Sequence, residues 1–422
     1  MMATTVIRVL ILGQGDLVNR LPEVIAAPGI EITYAGNKTS PLARSQFVDT
    51  FVELNQVPVD GPNFEISKEL ENFLAVAIFD LVAISEDTIA VGIRQSKLPL
   101  EKKLRSLPIH SERGLKLIGS KVGFVEIAKT LGLSIPHSVI VTNTQDLSNL
   151  PIQIKTGDIF VYKGDFSGGG SQVQVVSATK DKLTSPPESW YPLVLQEFVE
   201  GITVNVDAFF LSGRLVAWTY SHTISESTRF GPSTTRTYLN PPAQDFLSQL
   251  DILGADVRIH GFLNSTWIYS ETSQKHYFIE ADPRPNAWHQ FFPRLGINYS
   301  EVLNSGKSEL KFTQMSIRES GLTFSLYPRQ LASGLRGLKV KPILRWLWRV
   351  PGTWEFRNRR DSEVNSYEDR SLYTIPMQWV VSWLSSFWQA SPLALQRILV
   401  NLGVRRLLLR LFNLEPRLGN SP

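Results

Sequence analysis

Cysteine is absent from this chain, which excludes a disulfide framework, a thiolate nucleophile and a thiolate metal site. That absence agrees with a reducing compartment, and a cytoplasmic location is the expectation. No stretch reaches the ~20 consecutive apolar residues of a membrane-spanning helix. No secretory signal shows either: residues 1–5 run directly into Val6-Ile-Arg-Val-Leu-Ile-Leu12, a strand-like run broken by Arg8. The body also lacks a basic excess. Residues 330–422 hold 14 Lys and Arg against 6 Asp and Glu, which leaves 29 against 33 elsewhere. Nucleic acid is therefore not an expected partner of the body. Two nucleotide-binding signatures are incomplete. Gly13-Gln-Gly15 follows the first strand, but Val18 stands where a dinucleotide fingerprint needs its third glycine. The glycine-rich stretch near residue 168 lacks the Lys-Ser/Thr of a P-loop, and a strand rather than a helix follows it.

What is there is ordinary in bulk: 422 residues, 43% of them apolar, enough for about two to four domains. Strand-like runs at 6–12, 30–34, 47–54 and 79–84 alternate with helical segments, the pattern of an open parallel sheet. Residues 118–134 read as a helix with Ser120 as N-cap and Gly132 as its stop. Lys121 falls in its first turn, where a cation opposes the helix dipole unless an anion lies nearby. A strand ending in Lys163 leads into Phe166-Ser-Gly-Gly-Gly-Ser171 and a returning strand. Glycines at such a tip let backbone N–H groups wrap phosphate oxygens. Leu193-Val-Leu-Gln-Glu-Phe-Val-Glu-Gly201 follows, then an alternating strand at 203–210 and a return at 215–220. Residues 221–240 carry polar groups without periodicity and read as a surface loop. A helix is expected near 243–254, and 261–269 pairs with 276–281 as the last hairpin.

That hairpin delivers Phe278-Ile-Glu-Ala-Asp-Pro-Arg-Pro-Asn286. On a strand, residues two apart share a face, so Glu280 and Asp282 aim two carboxylates at one spot. Such a pair repels unless a cation lies between, and Mg²⁺ is often held by one or two carboxylates plus phosphates. Arg284 would then face the same phosphates as a planar donor.

Taken in order, Gly119-Ser-Lys121, Lys163 with its glycine loop, Leu195-Gln-Glu-Phe-Val-Glu-Gly201 and Phe278-Ile-Glu-Ala-Asp-Pro-Arg284 resemble the ATP-grasp superfamily over about residues 6–315. The layout is most similar to members of the carbamoyl-phosphate-synthase and biotin-carboxylase kinds. The resemblance implies an α/β and α+β architecture: a Rossmann-like domain at 1–115, a small lobe with the glycine-rich loop at 116–190, a large lobe with the metal site at 191–315, and a basic, Trp-rich, mostly helical extension at 316–422.

It also implies roles. Lys121 and Lys163 are the nucleotide lysines. Phe166, Ser167, Gly168, Gly169 and Gly170 form the loop over the phosphates. Gln196, Glu197, Phe198 and Val199 read the adenine. Glu280 and Asp282 hold Mg²⁺, or Mn²⁺ in its place, and Arg284 contacts phosphate. Arg236 and Arg258 are candidates for a substrate carboxylate, whereas His260 and His289, flanked by apolar runs, read as structural. The implied activity is a ligase that uses ATP to join a carboxylate to an amine through an acyl phosphate. Two departures favour the alternative, nucleotide binding without ligase turnover in a regulatory or membrane-surface scaffold: Thr266 and Thr203 stand where the family usually has acidic residues. The tail alternates cations with aromatics at Arg345-Trp-Leu-Trp-Arg349. It reads as a helical extension docking on the body or on a second subunit of a homodimer, or as a contact with an anionic membrane surface.

Overall fold

The computed structural model describes residues 6–13, 17–54, 64–180, 182–305, 316–326, 361 and 363–368. All named elements belong to one compact unit, 1–326 with 351–365. A second unit, 327–350 with 366–422, lies almost wholly outside the described residues, and so does the membrane or subunit contact expected of the tail. No helix among the described residues is long and apolar enough to cross a membrane.

In chain order the first elements are β1 (Ile7–Leu12), α1 (Leu21–Ile25), β2 (Ile30–Gly36), β3 (Thr50–Glu53), α2 (Lys68–Val76), β4 (Leu81–Ile84), α3 (Asp87–Gln95), α4 (Leu100–Arg105) and α5 (Lys121–Leu131). The strands form a parallel sheet in the order β3-β2-β1-β4. Val9 to Leu12 are fully buried, as expected of a parallel strand covered on both faces. Because β1 lies between β2 and β4, the crevice outside their carboxyl ends is a topological switch point. Helix α5 is shorter than the expected 118–134 but is capped as read: Ser120 Oγ accepts from Gly123 N at 2.9 Å, and Gly132 ends it at φ 65°.

A second sheet is antiparallel and small: β5 (Ser138–Val141), then α6 (Thr144–Ser148), β6 (Ile159–Gly164), β7 (Val173–Ser177) and β8 (Leu193–Glu197), in the order β5-β8-β6-β7. It has its own core around Val141, Phe160, Tyr162, Leu193 and Leu195.

The third sheet holds β9 (Ile202–Leu211), β10 (Arg214–Glu226), β11 (Ser233–Tyr238), β12 (Gly261–Ser270), β13 (Lys275–Asp282) and β14 (Leu322–Ser325), with α7 (Asp245–Val257) and α8 (Tyr299–Ser305) between them in the chain. Its order is β13-β12-β9-β10-β11-β14, antiparallel throughout. Alternation sorts its faces. Val204, Val206, Ala208 and Leu263 join Phe246, Leu250 and Leu253 of α7 in one core, where Trp267 and Phe278 stack at 3.7 Å. Asn205, Asp207, Asn264, Thr266, Glu280 and Asp282 fall on the opposite, polar face, in register across β9, β12 and β13. Further along that face, Phe209 and Phe262 join Ile11, Tyr34, Phe292 and Tyr299, so this sheet and the parallel sheet share a core.

The surface loop expected at 221–240 is corrected here. Most of the stretch is strand, with only 227–232 as a connection between β10 and β11, and Thr234, Thr235 and Arg236 are buried. The face these strands line is itself polar, so burial there leaves no apolar alternation to read. Thr235 pairs with Ser325 at 2.9 Å and Thr237 with Thr323 at 2.8 Å instead.

Candidate active site

Four distant segments meet around one cavity of about 380 Å³: the turn from β4 into α3, the start of α5, the β6–β7 loop, and the end of β13. Three of these are ends of a strand or helix, so a rigid element fixes each group; the fourth is the loop between β6 and β7.

At β13 the two carboxylates do share a face. Lys121 Nζ lies 3.4 Å from Glu280 Oε1, and Arg284 Nη2 lies 3.2 Å from Asp282 Oδ2. The strand ends at Asp282, and Arg284 returns through a tight turn in which its N–H donates to the Asp282 carbonyl at 2.8 Å. Its Nε donates to Asp87 Oδ1 at 2.6 Å. Burial, reinforced by the Glu280 charge, pushes Asp282 up to about 7. Burial works against the Arg284 charge, but Asp87 and Asp282 more than offset it and hold the guanidinium above its ordinary value.

Lys121 also donates to the Ser167 carbonyl, which ties the helix start to the glycine loop. The anion sought near this helix terminus is Asp165: its Oδ1 accepts from Ser120 Oγ at 2.8 Å and from Val122 N at 2.9 Å. Lys163 is buried at the end of β6, with Nζ donating to Gln196 Oε1 at 2.7 Å. Burial draws its pKa down to about 8, while Glu280 works to raise it and Lys121 to lower it. The two lysines and Glu280 therefore share one electrostatic neighbourhood, although Lys163 and Glu280 are on different sheets.

The loop itself leans on the 227–232 connection. Gly170 adopts φ 76°, and a Cβ there would collide with the Phe230 carbonyl. Phe166, beside Phe64 at 5.8 Å, lies under the Arg94 guanidinium at 5.4 Å and walls the cavity.

Crystal structures of other proteins share this architecture. The chain matches N5-carboxyaminoimidazole synthase from Aspergillus clavatus, in complex with ADP and 5-aminoimidazole ribonucleotide, at TM-score 0.56 and 13% identity, over 75% of this chain and 81% of that one. It matches N5-carboxyaminoimidazole synthetase from Staphylococcus aureus, complexed with ADP, at TM-score 0.52 and 14% identity, over 74% and 79%. The fold is ATP-grasp. No protein-family model and no curated protein matches the sequence.

Within the ATP-grasp frame, the cavity brings together Lys121, Phe166, Ser167, Gly168, Gly169, Glu280, Asp282 and Arg284. Gly170 and Lys163 do not line it. Gln196, expected to read adenine, turns into the small lobe, where its Nε2 donates to Ser138 Oγ at 3.0 Å and its Oε1 holds Lys163. Glu197 and Phe198 stay exposed, and Val199 is partly so. Two candidates lie elsewhere. Arg258 is exposed where α7 ends, at φ 53°. Arg236 is buried, donating to Asp207 Oδ2 at 2.9 Å, Asn205 Oδ1 at 2.9 Å and Ser233 Oγ at 2.7 Å, with its guanidinium 4.6 Å from the Trp288 ring. Neither lines the cavity.

Sequence reasoning missed how the carboxylates are held in place. Asn286 Nδ2 donates to Asp207 Oδ1 at 2.6 Å and to Asn264 Oδ1 at 2.9 Å, and Asn264 Nδ2 reaches Asp282 Oδ2 at 3.4 Å. A polar chain thus runs from the buried Arg236–Asp207 pair to Asp282. Alternation along β9 and β12 was the available signal for Asp207 and Asn264. For Asp87 it was a position just beyond the end of a parallel strand. Thr266, at the usual acidic position, lies directly opposite Glu280 in the β12–β13 register.

Proposed function

We propose that the chain is an ATP-dependent ligase that joins a carboxylate to an amine or similar nucleophile. The observation that carries this is the meeting, in one cavity under a glycine loop, of Lys121, Glu280, Asp282 and Arg284, with Lys163 buried within electrostatic reach of Lys121 and Glu280. The donor set fits Mg²⁺. Glu280 and Asp282 are close enough for one charge to raise the other's pKa, and among the described residues they form ion pairs with Lys121 and Arg284. Two carboxylates with phosphate oxygens are an ordinary Mg²⁺ set. When bound, the ion would neutralise charge on the transferring phosphoryl group.

The chain's own residues supply the rest. The substrate carboxylate oxygen attacks the γ-phosphorus, the bond to the β-bridging oxygen breaks, and ADP leaves. The amine nitrogen then attacks the acyl carbon, phosphate departs, and the amine proton is lost. Lys121, Lys163 and Arg284 offset phosphate charge. The loop 166–171 covers the reacting groups and keeps water from the acyl phosphate. The cytoplasm is the compartment that goes with this reading.

Thr266 opposite Glu280 favours a second reading, nucleotide binding without turnover, since the position offers no carboxylate. Phosphate release from ATP with Mg²⁺, across panels of carboxylates and amines, separates the two. Substrate-dependent release supports the ligase. Tight ATP binding with no release under any pair supports the second reading.

A further inference from the structure

Five apolar side chains, Leu17, Phe64, Val91, Phe124 and Phe166, line the same cavity as Lys121, Arg284 and the carboxylates. Phosphate oxygens and a hard metal ion gain nothing from such walls. The segment expected to read adenine, 196–199, does not line the cavity either, so the base does not account for them. Two of the five come from distant parts of the chain and meet. Phe166 stands on the glycine loop, next to Ser167, whose carbonyl Lys121 holds, and it remains 40% exposed. Phe64 lies just before α2, half-buried, with its ring centroid 5.8 Å from that of Phe166. It adopts φ 45°, a left-handed conformation that a bulky residue keeps only where its surroundings fix it. Gly92 of α3 packs against it: a Cβ there would lie 2.6 Å from the Phe64 carbonyl. A residue that weakens a helix interior thus makes room for a strained aromatic on the cavity wall. Arg94, whose guanidinium lies 5.4 Å from the Phe166 ring, donates to the Ile118 carbonyl at 3.3 Å and does not line the cavity.

In the proposed function the loop covers the transferring phosphoryl group, and the attacking carboxylate bonds to its phosphorus. The substituent of that carboxylate starts just beyond the acyl carbon, so it lies under the same loop. We infer that the carboxylate substrate of the proposed ligase carries an apolar aliphatic or aromatic substituent, seated against Phe64 and Phe166. The inference rests on the ligase reading and adds the substrate's chemical class. Phe64 then determines specificity, held by the body of the protein while Phe166 belongs to the loop. Each methylene buried on such a wall is worth about fourfold in binding, whereas a charged group there would lose its water and gain no partner from the two rings. The volume, about 380 Å³, is that of roughly a dozen water-sized groups at ~30 Å³ each, shared with the phosphoryl group. It therefore suits an acid of amino-acid size.

The test uses the full chain with ATP, Mg²⁺ and hydroxylamine, which captures an acyl phosphate without the natural acceptor. Its nitrogen attacks the acyl carbon, phosphate departs, a proton is lost, and a hydroxamate forms. Acids of matched size are compared, hexanoate with adipate and leucine with aspartate, beside acetate. ADP binding is measured separately by calorimetry. The expected result is hydroxamate from hexanoate or leucine with kcat/KM at least tenfold above the polar partner and above acetate. Phe64→Asn removes the ring but keeps a residue that tolerates the left-handed backbone. It should cut the apolar-to-polar ratio at least fivefold with ADP affinity unchanged within twofold, and Phe64→Leu should keep the ratio for hexanoate within threefold. A preference for adipate, aspartate or acetate, equal use of each pair, or an unchanged ratio in Phe64→Asn would each overturn the inference and leave the ligase standing. A Phe64→Asn enzyme slowed equally on every acid would make the ring pair a loop contact only, which overturns it too. No hydroxamate from any acid while ADP still binds would instead overturn the ligase reading beneath it.

Discussion

Lys163 shows what a site costs its own fold. Removing its ammonium from water draws the pKa to about 8. Between pH 8 and the unfolded value of 10.5, the unfolded chain holds a proton that the folded chain has lost, so this group makes stability rise with pH. Lys163→Met should weaken ADP binding at least tenfold, about 1.4 kcal/mol, while leaving the melting temperature unchanged or higher, because the buried charge is gone. Calorimetry and thermal melts at pH 7 and 9 check both parts. The variant should also lose the wild type's gain in stability over that window. Arg236 has the opposite character. Its removal strands the fully buried Asp207, so Arg236→Met should cost about 3–5 kcal/mol. Arg236→Met combined with Asp207→Leu should cost less than Arg236→Met alone. Urea unfolding of the three variants decides it, and a more damaging double variant would show that the pair is not what holds this face together.

At the scale of elements, the glycine loop leaves no room for a side chain at Gly170. Gly170→Ala forces a left-handed backbone on a residue with a Cβ and drives that Cβ into the Phe230 carbonyl. The expected result is at least tenfold weaker ATP affinity with little change in melting temperature, measured by calorimetry and thermal melts, because the strands flanking the loop keep their pairing. The same scale separates what was legible in the sequence from what was not. Lys121, Lys163, Glu280 and Asp282 could be read because each depends on local spacing: a capped helix start, a strand end, two positions on one strand. The open parallel sheet followed from strands alternating with helices, and the two α+β lobes from the resemblance. The partners of Asp87 and Asp207 could not be read, since the bond from Asp87 to Arg284 spans 197 residues and that from Asp207 to Asn286 spans 79. The β10–β11 pair escaped notice because polar side chains cover its inner face, where periodicity of hydrophobicity has nothing to report.

At the scale of the whole molecule, acid is the expected weak point. His110 stacks on His260 at 4.9 Å, and His260 bridges the Asp80 carbonyl at 2.8 Å and the Ser212 N–H at 3.1 Å. The pair thus joins the parallel sheet to the β9–β10 turn. Burial pulls His110 and His289 each down to about 4. Below the unfolded value of 6.5 the unfolded chain takes up protons that the folded chain refuses, so stability falls from pH 6.5 toward 4. The urea midpoint should therefore drop steeply across that range. His110→Gln should flatten the drop, whereas a wild-type midpoint independent of pH there would contradict the assignment. Residues 1–115, expected as a Rossmann-like domain, share a core with the large sheet. Ile11 and Tyr34 pack in one cluster with Phe209 and Phe262 of the large sheet, and the small sheet has a cluster around Val141 and Tyr162 while its Val194 joins the core under the large sheet. The N-terminal sheet and the large sheet therefore share one interior, and the small sheet joins a neighbouring part of the core through Val194. Cleaving the polypeptide near residue 115 should release not two soluble pieces but two halves of a single interior, each left sticky where the other was torn away.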